Sequence, residues 1–298
     1  MQFRDRHILI TGASGGIGSA LAILLARRGS SLLLHGRNQK ALDEIASKCM
    51  EQGCPRVVTC SADISNEAGR KRLTDCVSTS FPLLDTLINN AGIGCFNLFD
   101  EQSPELIERL ITTNVTAPIL LTQALLPNLT AKPEPRILNI GSAFGAIGYP
   151  GYTTYCASKG ALRMFSESLA REYADTSLKV QYLAPRASPT AINTYRANQM
   201  LAATGGKSDA PVTVAEAAIK LLESGKAQAA VGWPEKLLVR LNGLRPELIS
   251  AMLKRQLHKI KPYARSTDVD TGAQTARHQA SHRDQHPLKE RSLSGKGA

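Results

Sequence analysis

Twelve residues near the start of the chain, H-I-L-I-T-G-A-S-G-G-I-G at 7–18, restrict its possible folds more than any other stretch. Residues 7–11 are an apolar run of strand length, and residues 17–28 carry Leu21, Leu24 and Leu25 at helical spacing. Only a tight turn fits between them. Gly12, Gly16 and Gly18 let the backbone make that turn and allow a second group to approach it closely. A strand that passes through such a turn into a helix aims the helix N-terminus at the turn, a position that favours an anion such as a pyrophosphate.

The same alternation recurs down the chain. Strand-length apolar runs at 31–35, 56–60, 84–88, 136–141, 178–184 and 227–231 alternate with helical patterns at 40–50, 66–80, 104–126, around Tyr155 and at 214–223. Alternation of this kind predicts βαβ units, whose crossovers make the sheet parallel and cover both of its faces with helices. The expected fold is α/β, a doubly wound parallel sheet of Rossmann type. With 298 residues, 43% of them hydrophobic, the chain has material for one large core. Residues 1–234 are assigned to this domain, 235–263 to basic amphipathic C-terminal helices, and 264–298 to a disordered tail poor in apolar residues.

Chemistry first shows in Y-T-T-Y-C-A-S-K-G-A-L at 152–162, which sets Tyr155 and Lys159 on one face of a helix. A nearby ammonium favours the phenolate and is expected to lower the pKa of Tyr155 from about 10 toward neutrality, where acid-base catalysis is most effective. Such a pair alone decorates many solvated helices. Here it follows T-G-A-S-G-G-I-G at 11–18, N-N-A-G at 89–92, Asn114, and Ser142 directly after a strand. In that order and spacing the motifs resemble the short-chain dehydrogenase/reductase family over roughly residues 7–232.

The resemblance implies an enzyme that interconverts a carbonyl and an alcohol by hydride transfer, with Asn114, Ser142, Tyr155 and Lys159 as catalytic residues. It implies a dinucleotide held by Gly12, Ser14, Gly16, Ile17, Gly18, Arg37, Asp63, Asn90, Ala91, Gly92, Tyr155, Lys159, Pro185 and Thr190. Within that set Asp63 matches the adenine contact, though an Asp there can equally cap a turn. The second strand ends in G-R-N with no acid to take the ribose 2′-hydroxyl, whereas Arg37 suits a 2′-phosphate, so NADP(H) is preferred over NAD(H). No metal is required. A homodimer or homotetramer through the helices carrying Asn114 and Tyr155 is implied. The chain departs from the family where Pro185 is followed by Arg186 instead of glycine; that arginine could meet a cofactor phosphate or an acidic substrate, or be paired internally. Residues 191–211 are expected to form a mobile lid, and Phe96, Leu98, Phe99, Phe144, Ile147 and Tyr149 to favour a lipophilic carbonyl such as a 3-oxoacyl chain, fatty aldehyde or steroid-like ketone. The alternative is a non-catalytic nucleotide sensor of the same fold, against which the intact catalytic set argues.

The net charge is +11, and residues 235–265 supply more than half of it, with eight basic residues against Glu235 and Glu247, a net of +6. No nucleic-acid motif accompanies this charge, so nucleic acid is not an expected partner. The stripes Leu237, Leu238, Leu241, Leu244 and Ile249, Met252, Leu253, Leu257, Ile260 suit either packing on the subunit itself or contact with a membrane surface. Six cysteines at 49, 54, 60, 76, 95 and 156 include no C-x-x-C pair and are expected to be free thiols in a reducing, cytoplasmic setting. No signal peptide or bilayer-spanning run is expected. His278, His282 and His286 recur every four residues but lack a scaffold that would preorganise a metal site.

Overall fold

In a computed structural model, which describes residues 2–190 and 192–265, seven strands form one all-parallel sheet. They are β1 (His7–Thr11), β2 (Ser31–Gly36), β3 (Val57–Ser61), β4 (Thr86–Asn89), β5 (Arg136–Ile140), β6 (Lys179–Ala184) and β7 (Gln228–Ala230), in the order β3-β2-β1-β4-β5-β6-β7. Helices connect them: α1 (Gly16–Ala26), α2 (Gln39–Glu51), α3 (Glu67–Ser80), α4 (Pro104–Ile111), α5 (Ala117–Thr130), α6 (Thr153–Glu172), α7 (Tyr195–Ala203) and α8 (Pro211–Ser224). Two more, α9 (Glu235–Leu244) and α10 (Pro246–Ala264), follow the last strand.

Both faces of the sheet are buried, so its strands read as continuous apolar runs. Ile8, Ile10, Leu32 and Leu34 meet Leu21 and Leu25 of α1 and Val214 and Ile219 of α8 on one face. Leu9, Leu33 and Leu87 point the other way, onto Leu73 of α3, Leu121 and Leu125 of α5, and Leu169 of α6. That period of two divides the core into two layers. Strand order reverses between β1 and β4, and in open α/β sheets ligands sit outside the carboxyl ends of strands at such a point. The loops after these two strands carry the T-G-A-S-G-G-I-G and N-N-A-G motifs.

Several elements differ from the sequence expectation. The fourth strand starts later, at Thr86, directly after the buried Asp85, whose carboxylate is occupied by Arg6 (3.0 Å), Lys132 (3.4 Å) and the His7 N–H (2.8 Å). The helix expected at 104–126 is α4 and α5 joined through one π-helical turn, Thr112–Thr116, where the ladder widens so that the Ala117 N–H reaches the Thr112 carbonyl. By length and composition this continuous helix is apolar enough to cross a membrane, contrary to the expectation that no run would be. It packs on α3 and α6, and the core helix of a soluble protein meets the same criterion.

The C-terminal stripes divide. Ile249, Leu253 and Ile260 of α10 are buried, the first two with Ile147 and the last with Phe96, Tyr152, Ala197 and Met200. α10 thus packs on α7, inside the segment expected to be the lid. On α9, Leu238 and Leu241 pack inward, whereas Leu237 and Leu244 remain exposed. All six cysteines are free. The three tail histidines lie outside the described residues. Ile260→Ala should cost about 3 kcal/mol in urea unfolding, since a fully buried side chain would leave a cavity under α7; an unchanged midpoint would show that α10 is not docked there.

Candidate active site

Steric demand explains the glycine turn. Gly12 has φ +65°, and a Cβ there would lie 2.8 Å from the Ala91 Cα, while one on Gly18 would collide with the Gly12 carbonyl. The two loops are tied together chemically as well. Asn90 Nδ2 donates to the carbonyls of Thr11 (3.0 Å) and Gly12 (3.1 Å), and the Thr11 hydroxyl accepts the N–H groups of Asn90 and Ala91 (3.0 Å each). Both Asn90 amide hydrogens are therefore committed to the loop. At α1, Gly15 provides no side-chain cap and the first turn holds no acid, so the N-terminal N–H groups face the turn uncompensated. This is the electrostatic setting a pyrophosphate requires, and the cradle fits a dinucleotide. Ser14 Oγ lies where a Cβ on Gly36 would be 2.9 Å from it, and Ile17 packs against the core from the start of α1.

Arg37 is exposed at the end of β2, and its charge helps hold the Asp63 carboxyl below its ordinary value, after the dominant effect of the Ser65 N–H bonded to it at 2.9 Å. Burial meanwhile pushes His35 down to about 4. Thr190 stands over the turn, its methyl 2.8 Å from where a Gly16 Cβ would be, and the Pro185 carbonyl accepts the Ala143 N–H at 2.8 Å.

Ser142 follows β5, and its Oγ caps the short turn Ala143–Gly145 by accepting the Phe144 N–H at 3.1 Å. Near the start of α6, Tyr155 and Lys159 share one face, with the ammonium 5.8 Å from the phenol ring centre. Lys159 Nζ is buried and donates to the Ile140 carbonyl at 3.2 Å. A Cβ on Gly92 would lie 3.5 Å from that nitrogen and 3.1 Å from Asn114 Oδ1, so glycine there keeps the pocket open. Asn114 sits in the π turn, a frequent device at functional positions. Its amide donates to the Ile93 carbonyl (2.9 Å) and Ser158 Oγ (3.1 Å) and accepts the Ile93 N–H (2.9 Å). It thereby ties the N-N-A-G loop to the helix of Tyr155 and Lys159.

The titration of the pair differs from the sequence expectation. Burial raises the Tyr155 phenol above its ordinary value, and a hydrogen bond with Ser142 only partly offsets this. Burial likewise pulls Lys159 down to about 8. Taking either group out of water disfavours its ion, and for the phenol desolvation is the largest effect. Near neutrality Tyr155 holds its proton, as a general acid must.

Sequence reasoning missed Tyr182. Its hydroxyl accepts the Ser142 N–H (3.2 Å) and lies within donating reach of the carbonyls of Ser142 (3.2 Å) and Lys159 (3.4 Å), so one β6 side chain sets the spacing of β5 and α6. No motif signals it, because its partners are backbone atoms remote in sequence.

The apolar wall is aromatic. Phe144 stacks on Tyr149 (4.8 Å) and tilts against Tyr152 (5.0 Å), which stacks on Phe96 (4.9 Å) and lies 5.8 Å from the Tyr155 ring. Leu98 and Met200 complete it. Two expected members fall elsewhere: Phe99 is 60% exposed, and Ile147 packs under α9 and α10. Arg186 is paired internally. Its Nε and Nη2 clamp Asp209 at 2.9 and 2.6 Å, and Nη1 reaches the Trp233 carbonyl (3.1 Å) and Glu235 (3.4 Å). The guanidinium thus ties the segment after β6 to the approach to α8 and to the start of α9.

A glycine cradle at the sheet's switch point, opposite a Ser-Tyr-Lys cluster in which Ser142 and Lys159 are buried and Tyr155 is partly so, defines a nicotinamide-dependent oxidoreductase that acts by hydride transfer. The family model described as short chain dehydrogenase matches residues 6–201, and the chain belongs to that family. Nodulation protein G of Rhizobium sp. (strain N33) is 36% identical over 184 residues, 62% of this chain and 74% of the relative. A short-chain dehydrogenase from Sphingobium yanoikuyae in complex with NADPH is 29% identical, with a TM-score of 0.70 over 82% of this chain and 95% of that one. A 3-ketoacyl-(acyl-carrier-protein) reductase from Brucella melitensis complexed with NADH is 26% identical, also at 0.70, over 78% and 99%.

The pH profile of kcat/KM for carbonyl reduction should fall as pH rises through about 8, where Lys159 loses its proton, and Lys159→Met should abolish that inflection. Tyr182→Phe should keep the fold but lower kcat roughly tenfold or more, because Ser142 and Lys159 would lose their shared fixed point. Unaltered kcat in that variant would remove Tyr182 from the account.

Proposed function

We propose that this chain is an NADP(H)-dependent oxidoreductase that interconverts a lipophilic carbonyl and its alcohol. The observation that carries the reading is the approach of Ser142, Tyr155 and Lys159 beneath an aromatic wall, where the Tyr155 ring lies 5.8 Å from the Lys159 ammonium and burial favours the neutral phenol. When bound, the nicotinamide nucleotide supplies or accepts the hydride. In reduction, Tyr155 gives its proton to the carbonyl oxygen, and Ser142 donates a hydrogen bond to that oxygen as negative charge develops on it. Lys159 holds the nicotinamide ribose hydroxyls and keeps a positive charge beside the phenolate left behind. Asn114, fixed by its side-chain bonds to Ile93 and Ser158, supports a water through which Lys159 recruits protons. Asp63 contacts the adenine, Thr190 the carboxamide, and Ser14, Ile17 and Pro185 line the cradle.

Arg37 supports NADP(H), since an exposed guanidinium at the tip of β2 pairs readily with a 2′-phosphate. Solved relatives are found with NADPH and with NADH, and the NADP(H) reading rests on Arg37 alone. The aromatic wall and the likeness to a 3-ketoacyl reductase support a 3-oxoacyl, fatty aldehyde or steroid-like substrate. The helices carrying Asn114 and Tyr155 leave Leu120 and Met164 exposed on their outer faces, which suits a homodimer or homotetramer built through them. Residues 235–263 give a cytoplasmic enzyme a means of contact with the membrane in which such a substrate dissolves.

Purified protein given NADPH and a panel running from small polar ketones to long-chain aldehydes and 3-oxoacyl thioesters should favour the long chains. Tyr155→Phe should lower kcat about a thousandfold while cofactor binding persists. Arg37→Ala should raise the KM for NADPH at least about tenfold and leave that for NADH unchanged. Faster turnover of small polar ketones would overturn the substrate assignment.

A further inference from the structure

The docking of α10 buries one side of the C-terminal helices and leaves the other without a partner. On α9, Leu237, Arg240 and Leu244 recur at i, i+3 and i+7, which places them on one face, and all three are exposed. On α10, Leu248, Arg255 and Lys259 recur at i, i+7 and i+11, again exposed on a common face. The apolar members are 49% (Leu237), 79% (Leu244) and 57% (Leu248) exposed, and Trp233, just ahead of α9, is 66% exposed. Leu244 and Leu248 stand on either side of the break between the two helices at Arg245.

Charge selects the occupant. Arg240, Arg245, Arg255 and Lys259 form no ion pair among the described residues. Of the two acids in this region, Glu235 is held by Arg186, and Glu247 lies about 100° around α10 from the face of Leu248, Arg255 and Lys259, a single acid beside it. A second copy of the chain would bring the same uncompensated cations against these. An anionic bilayer supplies both an apolar layer for the leucines and negative charge for the arginines and lysines, and tryptophan is favoured at the boundary between the two.

We propose that the exposed face of α9 and the α9–α10 corner rests on an anionic lipid surface, with Trp233, Leu237, Leu244 and Leu248 entering the interface and Arg240, Arg245, Arg255 and Lys259 meeting lipid headgroups. The inference deepens the lipophilic-substrate reading and rests on it for its purpose, but its physical basis is separate. Opposite the same helices, Ile260 packs beside Phe96 and Tyr152 near Tyr155, so a docked α10 links the membrane surface to the wall of the active site.

Trp233 is the chain's single tryptophan and reports on the contact directly. Full-length protein mixed with vesicles of phosphatidylglycerol and phosphatidylcholine should sediment with them, and its tryptophan emission should shift to the blue and be quenched by brominated acyl chains. Vesicles of phosphatidylcholine alone should bind much less. R240Q/R255Q/K259Q should weaken partitioning roughly a hundredfold, at about fivefold per charge. L244S/L248S should weaken it by at least about tenfold and abolish the blue shift. Both variants alter exposed residues and should retain wild-type cofactor binding, which verifies their folding. Absence of sedimentation, equal binding to neutral vesicles, or a change of oligomeric state in L244S/L248S without loss of lipid binding would each overturn the proposal. Sedimentation requires no turnover, so failure of the carbonyl panel would leave this result intact, and failure here would leave the chemistry standing.

Discussion

An ammonium group buried beside a phenol is the constraint on which the active site depends. Removing Lys159 from water is costly, and the fold compensates by placing the Ile140 carbonyl at its nitrogen, while glycine at 92 leaves room for the neighbouring Asn114 Oδ1, which a Cβ would approach to 3.1 Å. The same burial lowers its pKa to about 8, so the charge is present near neutrality but sensitive to pH. Burial also keeps the proton on Tyr155, which would be of no use as an acid if already ionised. The reactive state follows from how the parallel sheet brings β5, β6 and the start of α6 together.

Holding that arrangement falls to groups that do no chemistry. The Tyr182 hydroxyl binds the backbone beside Ser142 and lies within reach of that of Lys159; Asn114 binds the loop after β4 to Ser158; Thr11 and Asn90 fix that loop to the glycine turn. Each link spans strands or helices distant in sequence. Together they form one polar framework along the carboxyl edge of the sheet, with dinucleotide cradle and proton donor on opposite sides.

Most of the fold was legible because its signals are local and repeated. Apolar runs alternating with helical stripes predict a parallel sheet, and the glycine turn and Tyr-x-x-x-Lys spacing mark the site without any knowledge of packing. What could not be read depends on tertiary contact. The π turn at Asn114 leaves no mark on a 3.6-residue periodicity, and Tyr182 reads as one more strand residue. Phe99 and Ile147 resemble Phe96 and Phe144 in sequence, yet one faces solvent and the other lies under the C-terminal helices. Arg186 stands in the ligand-binding region, but Asp209 and Glu235 claim it from positions no motif connects. The expected fall in the Tyr155 pKa failed for the same reason: charge was visible in the sequence, whereas the depth of burial was not.

The central claim is that a hydride passes between a bound nicotinamide and a carbonyl carbon while Tyr155 supplies the proton. Reduction of a long-chain carbonyl with NADPH deuterated at the transferring position, followed by NMR of the product, tests it directly. Deuterium should appear on the carbinol carbon, with the hydroxyl hydrogen drawn from solvent. A carbinol carbon carrying hydrogen from water, with the label retained in the cofactor, would contradict the account.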